Sequence, residues 1–478
     1  MQPAADLSVT GSAAPLPGRS RRWRWRPRVG RIEPTSARST LLLAAPVLAV
    51  SGLAAVACFI GADARWLAAL GSSITDHAAI PNGVPFATAP TSPWPNAIAL
   101  AELVFHALER GLGDWGLMIA QVLAVMVAIA VLARDAVRGG ATAGGAAAAL
   151  IIAAVGALPS LAVARVQLFS LALFPILVAL LRREVETPSR RIWLAVPLLA
   201  LWSNLHGAAI IGLLVTLGYL VLHRLRTDPR TAVVVAFAAV LAMLLTPAGI
   251  RTITYYQGIL MNQAAARGSG LWGPLSPSAP LDVLLIAAAA ALAWRLPRAP
   301  AARWELAVVL GLVAMTIHAS RSGVWLLLFL APTAARTFHP RPLWNRLLPA
   351  LVVCGLAASV VAVVRGPLAS GASSSLVARA ITLARGTPIL ADDVAAEQVA
   401  LAGGRIWVGD PIDAFSRRDQ AVYLDWSEGK PNGRRALGPA IGVILTSRGS
   451  AAERLMHLQP GFRSVASDRT ADVFLRSG

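Results

Sequence analysis

Charge is what this sequence has least of. Asp, Glu, Lys and Arg make up 14% of its 478 residues, and 56% are hydrophobic. A soluble domain carries about 25% charge, so the bulk of the chain is not a water-solvated globule. Cysteine is scarcer still, with Cys58 and Cys354 alone. Both fall inside apolar runs, one near the outer end of its run and the other nearer the inner end. That excludes a disulfide framework and a cysteine metal site, and reads as two buried apolar residues. No Walker loop, zinc-protease helix or Gly-x-Ser-x-Gly elbow occurs, so the chemistries those motifs announce are not indicated. No cleavable signal peptide is visible, and the run at 40–62 is expected to stay as an anchor. Arg21-Arg22 is followed by Trp23-Arg24-Trp25-Arg26, not by the apolar core of a twin-arginine signal.

What the sequence does have is a series of apolar runs. They lie near 40–62, 115–133, 141–161, 166–181, 192–204, 207–222, 231–247, 281–294, 305–319, 323–335 and 347–364. Several are shorter than the roughly 20 residues a bilayer core needs. The expected fold class is mainly α, a polytopic helical membrane protein of about eleven spans with a small C-terminal α/β domain outside the membrane. The net charge of +19 suggests nucleic acid at first sight, but the basic residues fall in short clusters between apolar runs. Of 43 Lys and Arg, 23 lie in segments assigned to one side and 6 in loops assigned to the other. That is the positive-inside pattern, so nucleic acid is excluded as a partner. The N-terminus is expected in the cytoplasm and the C-terminal part outside, in the cell (plasma) membrane.

Residues 1–39 are polar, basic and rich in Pro and Ser. They are expected as a disordered cytoplasmic tail suited to anionic lipid headgroups. Residues 63–114 form a non-apolar outer loop with apolar positions at helical spacing over 97–110, read as one or two helices along the membrane surface. A Gly/Ser/Ala linker is expected at 366–378, and an α/β domain at 379–478. Its strands are expected at Thr387–Leu390, Arg405–Val408, Ile441–Leu445, Phe462–Ala466 and Asp472–Leu475, with helices at 393–402 and 450–458.

Polar groups gather on the expected outer face. Asp63, Asp76 and His77 lie in the first outer loop, with Glu102 further along. Arg165 and Gln167 stand between two spans, and Asn204 and His206 form the tip of Leu201-Trp-Ser-Asn-Leu-His-Gly207. Arg251, Tyr255 and Tyr256 follow another span, and Arg321 lies between two more. A carboxylate at the exit of a first span suits a general base on a hydroxyl. Arginines at the bilayer surface suit a lipid phosphate. Each has a plainer reading beside it. Asp63 caps a helix, Asp76-His77 is a solvated turn, the arginines snorkel, Asn204 caps a hairpin with Trp202 as interface anchor, and the tyrosines form an interface belt. Asp76-His77 alone offers a metal too few ligands, so no metal site is assigned.

In order along the chain, these pieces resemble the GT-C class of multi-span bacterial glycosyltransferases, relatives of the protein mannosyltransferases that use a polyprenyl-phosphate sugar. The resemblance runs through Asp63-Ala-Arg-Trp-Leu-Ala-Ala-Leu-Gly71, Ile80-Pro81, Pro85-Phe86, Trp94 and Ala101-Glu102-Leu103. It continues in Arg165-Val-Gln-Leu-Phe-Ser170, Leu201–Gly207, Leu245-Thr-Pro-Ala-Gly249, His318-Ala-Ser-Arg321, Ala331-Pro332 and Pro388-Ile-Leu-Ala-Asp-Asp393. It implies a GT-C-like transmembrane domain over 40–365. Sugar would pass from a polyprenyl phosphate to a cell-envelope glycan or protein acceptor at the outer face. Asp63 matches the class's acidic residue, and Asp76 is the second candidate. His77, Glu102, Arg165, Gln167, Asn204, His206, Arg251 and Arg321 are the candidate binding residues. No cofactor is required by this reading, which still admits a divalent cation. Three positions depart from the class. Arg65-Trp66-Leu67 stands for a Trp-Trp-His run, Val84 for an acid before the Pro-Phe pair, and Ala97-Ile98 for a His-Glu. These motivate an alternative, a non-catalytic homologue that binds a lipid-linked glycan or supports envelope assembly. A transporter is a third reading, disfavoured by the scarcity of ionisable residues mid-span.

Overall fold

Each apolar run is too water-averse to leave its backbone unpaired in lipid, and a helix satisfies that backbone within a single segment. The computed structural model describes residues 37–61, 63–91, 93–268, 272–298, 302–338, 342–369 and 371–477; most of the basic tail therefore lies outside the described residues. The helices are α1 (Ala37–Ala57), α2 (Ala64–His77), α3 (Ala99–Leu112), α4 (Asp114–Arg138), α5 (Ala143–Gly156), α6 (Leu158–Ala162), α7 (Gln167–Glu186), α8 (Ala195–Ser203), α9 (Ala209–Leu222) and α10 (Pro229–Ala242). Then come α11 (Thr252–Met261), α12 (Gln263–Arg267), α13 (Pro280–Ala293), α14 (Arg303–His318), α15 (Gly323–Ala335) and α16 (Pro342–Arg365). The C-terminal part adds α17 (Ser374–Ala384), α18 (Asp393–Leu401), α19 (Arg417–Ser427) and α20 (Ala451–His457). Every expected span therefore falls on a helix. Among the described residues only three helical stretches, Asp114–Arg138, Ala209–Arg226 and Leu347–Arg365, are long and apolar enough to cross a membrane alone. The run at 141–161 is broken in two, with Pro159 opening the short α6.

Apolarity on all sides puts a helix in the middle, and α15 is buried along its whole length. Around it, α4, α5, α7, α9, α13 and α14 contribute to one apolar core. At the periphery, α1 and α16 pack backbone to backbone: a Cβ on Gly52 would collide with the Gly355 carbonyl oxygen. Small residues are what allow such closeness between membrane helices. That contact is a narrow strip, so Cys354 on α16 is exposed, contrary to the buried reading; Cys58 is buried as expected.

The α1–α16 contact also brings together the segments that leave them. Strand β1 (Phe59–Ile60) pairs in parallel with β2 (Val163–Ala164) on one side and with β3 (Leu368–Ala369) on the other. Two-residue strands carry no periodicity, and nothing in the sequence marks them. The 366–378 stretch, expected as a linker, thus holds a strand and the start of α17.

A second sheet runs in the order β4 (Ile389–Ala391), β5 (Val443–Ser447), β7 (Ala471–Arg476), β6 (Phe462–Ser467). The strand expected at Arg405–Val408 does not form. Ile406 makes isolated bridges to Ile389 and Ala87, because it is caught between this sheet and the outer loop rather than inside either. The sheet shares one apolar core with Trp66, Val84 and Trp94 of the outer loop and with Tyr255 of α11. Trp66, 2% exposed, meets the Phe86 ring edge-on at 4.5 Å. Truncating a side chain of that size in a core costs about 3–5 kcal/mol.

Candidate functional site

Register places the first two site residues. Ile60 lies opposite Ala164, so Asp63, soon after β1, and Arg165, immediately after β2, leave the small sheet side by side. Asp63 heads α2 at φ +79°, ψ −20°, and its side chain makes no capping hydrogen bond. The plain capping reading therefore fails at this residue, since the carboxylate is not spent on the helix. Left-handed backbone is unfavourable for a residue bearing a Cβ, less so for Asp than for most. Here it is pinned: the Asp63 backbone N–H donates to Glu397 Oε1 of α18 at 2.8 Å. Burial pushes the Asp63 carboxyl up, while the Arg165 and Arg321 charges pull it down.

Arg165 is buried and donates to Gln167 Oε1 at the start of α7. Its Nε has no protein partner. Arg321 sits in a single 3-10 turn, Ser320–Ser322, between α14 and α15. Its guanidinium lies 3.8 Å over the Trp272 ring, a stacking that orients the donor fork. Burial and the like charge of Arg165 push Arg321 down to about 10, with Asp63 offsetting part of the effect. Two guanidinium charges are thus felt at one carboxylate, and this excess positive charge suits an anion.

The tip between α8 and α9 divides its two polar residues by task. Ser170 Oγ accepts from Trp202 Nε1 at 2.6 Å and lies 2.6 Å from His206 Nδ1. Ser170 thus fixes the orientation of the His206 ring through Nδ1 and leaves Nε2 to face away from it. Trp202 is fully buried, so it anchors His206 rather than an interface. Asn204 spends its amide hydrogens on Ala200 O at 2.8 Å and Leu245 O at 2.6 Å. It is a tie between helices, with only its carbonyl oxygen left for a ligand.

Other candidates stand apart. Asp76 and His77 are exposed at the far end of α2, bonded to Ser72 Oγ and Ser73 O. Asp76 lies thirteen positions after Asp63 along α2, roughly 20 Å along the axis. Arg251 is exposed and donates to Pro93 O, latching α11 to the outer loop. Glu102 is fully buried on α3 and accepts from Asn96 Nδ2 at 2.7 Å. Its Oε1 has no protein partner, and burial, opposed by the Asn96 bond, pushes it up to about 7. An open depression over α19, lined by Trp407, Arg418 and Asp425 among others, includes none of these residues.

Two further side chains lie near the group, Tyr255, which the sequence offers as an interface belt, and Asp413, which it does not mark. Tyr255 is buried in the core shared with the C-terminal sheet, not in an interface belt. Asp413 accepts Trp94 Nε1–H at 2.9 Å. Burial raises its carboxyl first, the Trp94 bond lowers it, and the charge of Asp63 raises it further. Nothing local marks Asp413; only the folding of the C-terminal part onto the outer loop brings it here. Among the described residues no three His, Cys, Asp or Glu side chains form a metal-binding group. The charges acting on Asp63 include two arginines, a donor set that does not fit a divalent cation.

The sequence matches no family model and no curated protein. Among solved structures, an arabinofuranosyltransferase, AftD from Mycobacteria, aligns at 16% identity over 93% of this chain and 42% of its own, with a TM-score of 0.47. ArnT from Cupriavidus metallidurans aligns at 12% identity over 91% of this chain and 97% of its own. The TM-score is 0.55 for ArnT bound to undecaprenyl phosphate and 0.52 for its apo state. The chain is thus similar in fold to ArnT along nearly the whole length of both.

Proposed function

We propose that this chain is a membrane glycosyltransferase that moves a sugar from a polyprenyl-phosphate donor to a cell-envelope acceptor at the outer face. The observation that carries the reading is Asp63, a carboxylate unspent on its helix, held in left-handed backbone and flanked by the charges of Arg165 and Arg321. A fold shared with a protein solved with undecaprenyl phosphate supports the choice of donor.

In this mechanism Asp63 takes the proton of an acceptor hydroxyl as its oxygen bonds to the anomeric carbon. The bond from that carbon to the phosphate oxygen breaks, and polyprenyl phosphate leaves with the electron pair. Arg165 and Arg321 hold the phosphate, where charge grows in the transition state. His206 Nε2 and Gln167 face the sugar or the phosphate. One observation favours a second reading, a non-catalytic lipid-glycan binder. Arg65, where the GT-C class carries the Trp-Trp-His run, is turned into an ion pair with Asp114 at 2.9 Å. The test is transfer from labelled polyprenyl-phosphate pentoses and hexoses in membranes carrying the protein. Transfer by the wild type, with a donor KM raised roughly tenfold or more in Arg165→Gln and Arg321→Gln, is expected. Lipid binding without turnover for any donor selects the second reading.

A further inference from the structure

Asp413 has no task in the transfer just proposed. It sits in a 3-10 turn, Ile412–Ala414, that reaches from the C-terminal part onto α11. Trp94 of the outer loop holds its Oδ2 from one side. On another side is the bare backbone of Gly258, where an added Cβ would stand 3.2 Å from the same oxygen. Tyr255, one helical turn before Gly258, shares the apolar core around this turn. After burial, the strongest influence on the Tyr255 phenol is the charge of Asp413, with those of Glu102 and Asp63 also felt. Asp413 and Asp63 act on each other as well. The Tyr255 hydroxyl also lies toward Gly207, next to His206, where an added Cβ would stand 3.4 Å from it. Asp413, Trp94 and Tyr255 thus gather a carboxylate, an indole and a phenol beside the His206 tip.

We propose that Asp413, with Tyr255, forms the acceptor subsite and binds neighbouring hydroxyls of a saccharide acceptor. This rests on the transferase reading and deepens it. Asp413 Oδ2 accepts from Trp94 Nε1 and the carboxylate also bonds its own backbone N–H, so an acceptor hydroxyl would use one of its remaining lone pairs. A carboxylate oxygen and a phenolic hydroxyl supply an acceptor and a donor–acceptor pair, the complement of adjacent sugar hydroxyls. The arginines, by contrast, offer only donors and suit the phosphate. Because the turn comes from the C-terminal part, that part supplies acceptor recognition while the helices supply the donor site.

The test uses native membranes lacking the chromosomal copy and re-supplied with wild type, Asp413→Asn or Asp413→Ala. The probes are 14C-labelled polyprenyl-phosphate pentoses and hexoses, with the membranes' own envelope glycan as acceptor. Label is read separately as glycan product and as free sugar from attack by water. Asp413→Asn leaves an oxygen for the Trp94 N–H, so docking is kept and the acceptor contact is weakened. The expected result is a fall of roughly tenfold or more in the glycan-to-free-sugar ratio, with the donor KM unmoved because the phosphate-binding arginines are untouched. Asp413→Ala shifts the ratio the same way. An unchanged ratio in both Asp413 variants leaves Asp413 a docking residue and overturns the proposal. A wild type that transfers no label from any donor overturns the transferase reading and this one together.

Discussion

Replacing Arg182 by Met should destabilise the protein more than any single change near the candidate site. Arg182 lies on α7, fifteen residues beyond Gln167 and so roughly 22 Å along the axis from the Asp63–Arg165 end. Its side chain, 5% exposed, ties together three other helices. Nη1 meets Asp135 Oδ2 of α4 at 2.8 Å, and Nε meets Glu305 Oε1 of α14 at 2.8 Å. Nη2 donates to Phe329 O at 2.8 Å and Thr333 Oγ1 at 2.9 Å, both on α15. Removing the cation leaves two buried carboxylates facing each other, and breaking one partner of such a network costs about 3–5 kcal/mol. Losing the two hydrogen bonds to uncharged acceptors adds about 1 kcal/mol each. Arg182→Lys keeps the charge but cannot span four acceptors, and it should fall between the two. An apolar triple variant, Arg182→Met with Asp135→Leu and Glu305→Leu, removes the unpaired charges as well and should recover most of the loss. The assay is thermal unfolding of the purified protein in detergent. A single Arg182→Met no less stable than the triple would refute the reasoning.

Further predictions concern the site end. Glu102, fully buried, keeps its proton up to about pH 7 in the folded protein against 4.5 for the free side chain. Its contribution is full below pH 4.5 and is lost as pH rises through 7, a loss of about 3 kcal/mol. Glu102→Gln should flatten the fall in unfolding stability between those pH values; an unchanged slope would exonerate Glu102. Asp63→Gly should relieve the backbone at φ +79° and Asp63→Val should strain it, the two differing by about 1–2 kcal/mol in thermal unfolding. Equal stability would mean that the α2 start relaxes.

Much of the fold was legible where periodicity and length speak. Eleven apolar runs are helices, and the C-terminal strands at Ile441–Leu445, Phe462–Ala466 and Asp472–Leu475 lie within two residues of β5, β6 and β7. What was not legible depends on distant pairing. The strands β1, β2 and β3 are two residues each, below any pattern a sequence can show, yet their register sets Asp63 beside Arg165. Asp413 and Tyr255 come to the site only because the C-terminal sheet shares a core with the outer loop. In the other direction, Asp76-His77 looked like a site because polar residues cluster in the sequence. The helix carries that pair away from Asp63. Asn204 looked equivocal, and its bonds to Ala200 and Leu245 spend its donors on the backbone.

The most direct test is the turnover of labelled polyprenyl-phosphate sugar by Asp63→Asn, measured beside its binding of polyprenyl phosphate. Asn tolerates the left-handed backbone and keeps the side-chain shape, so folding and lipid binding should be retained. Transfer should fall by about 10²–10⁴, the usual contribution of a positioned general base. Turnover at the wild-type rate in a variant that binds lipid normally would contradict the assignment of Asp63 as the base.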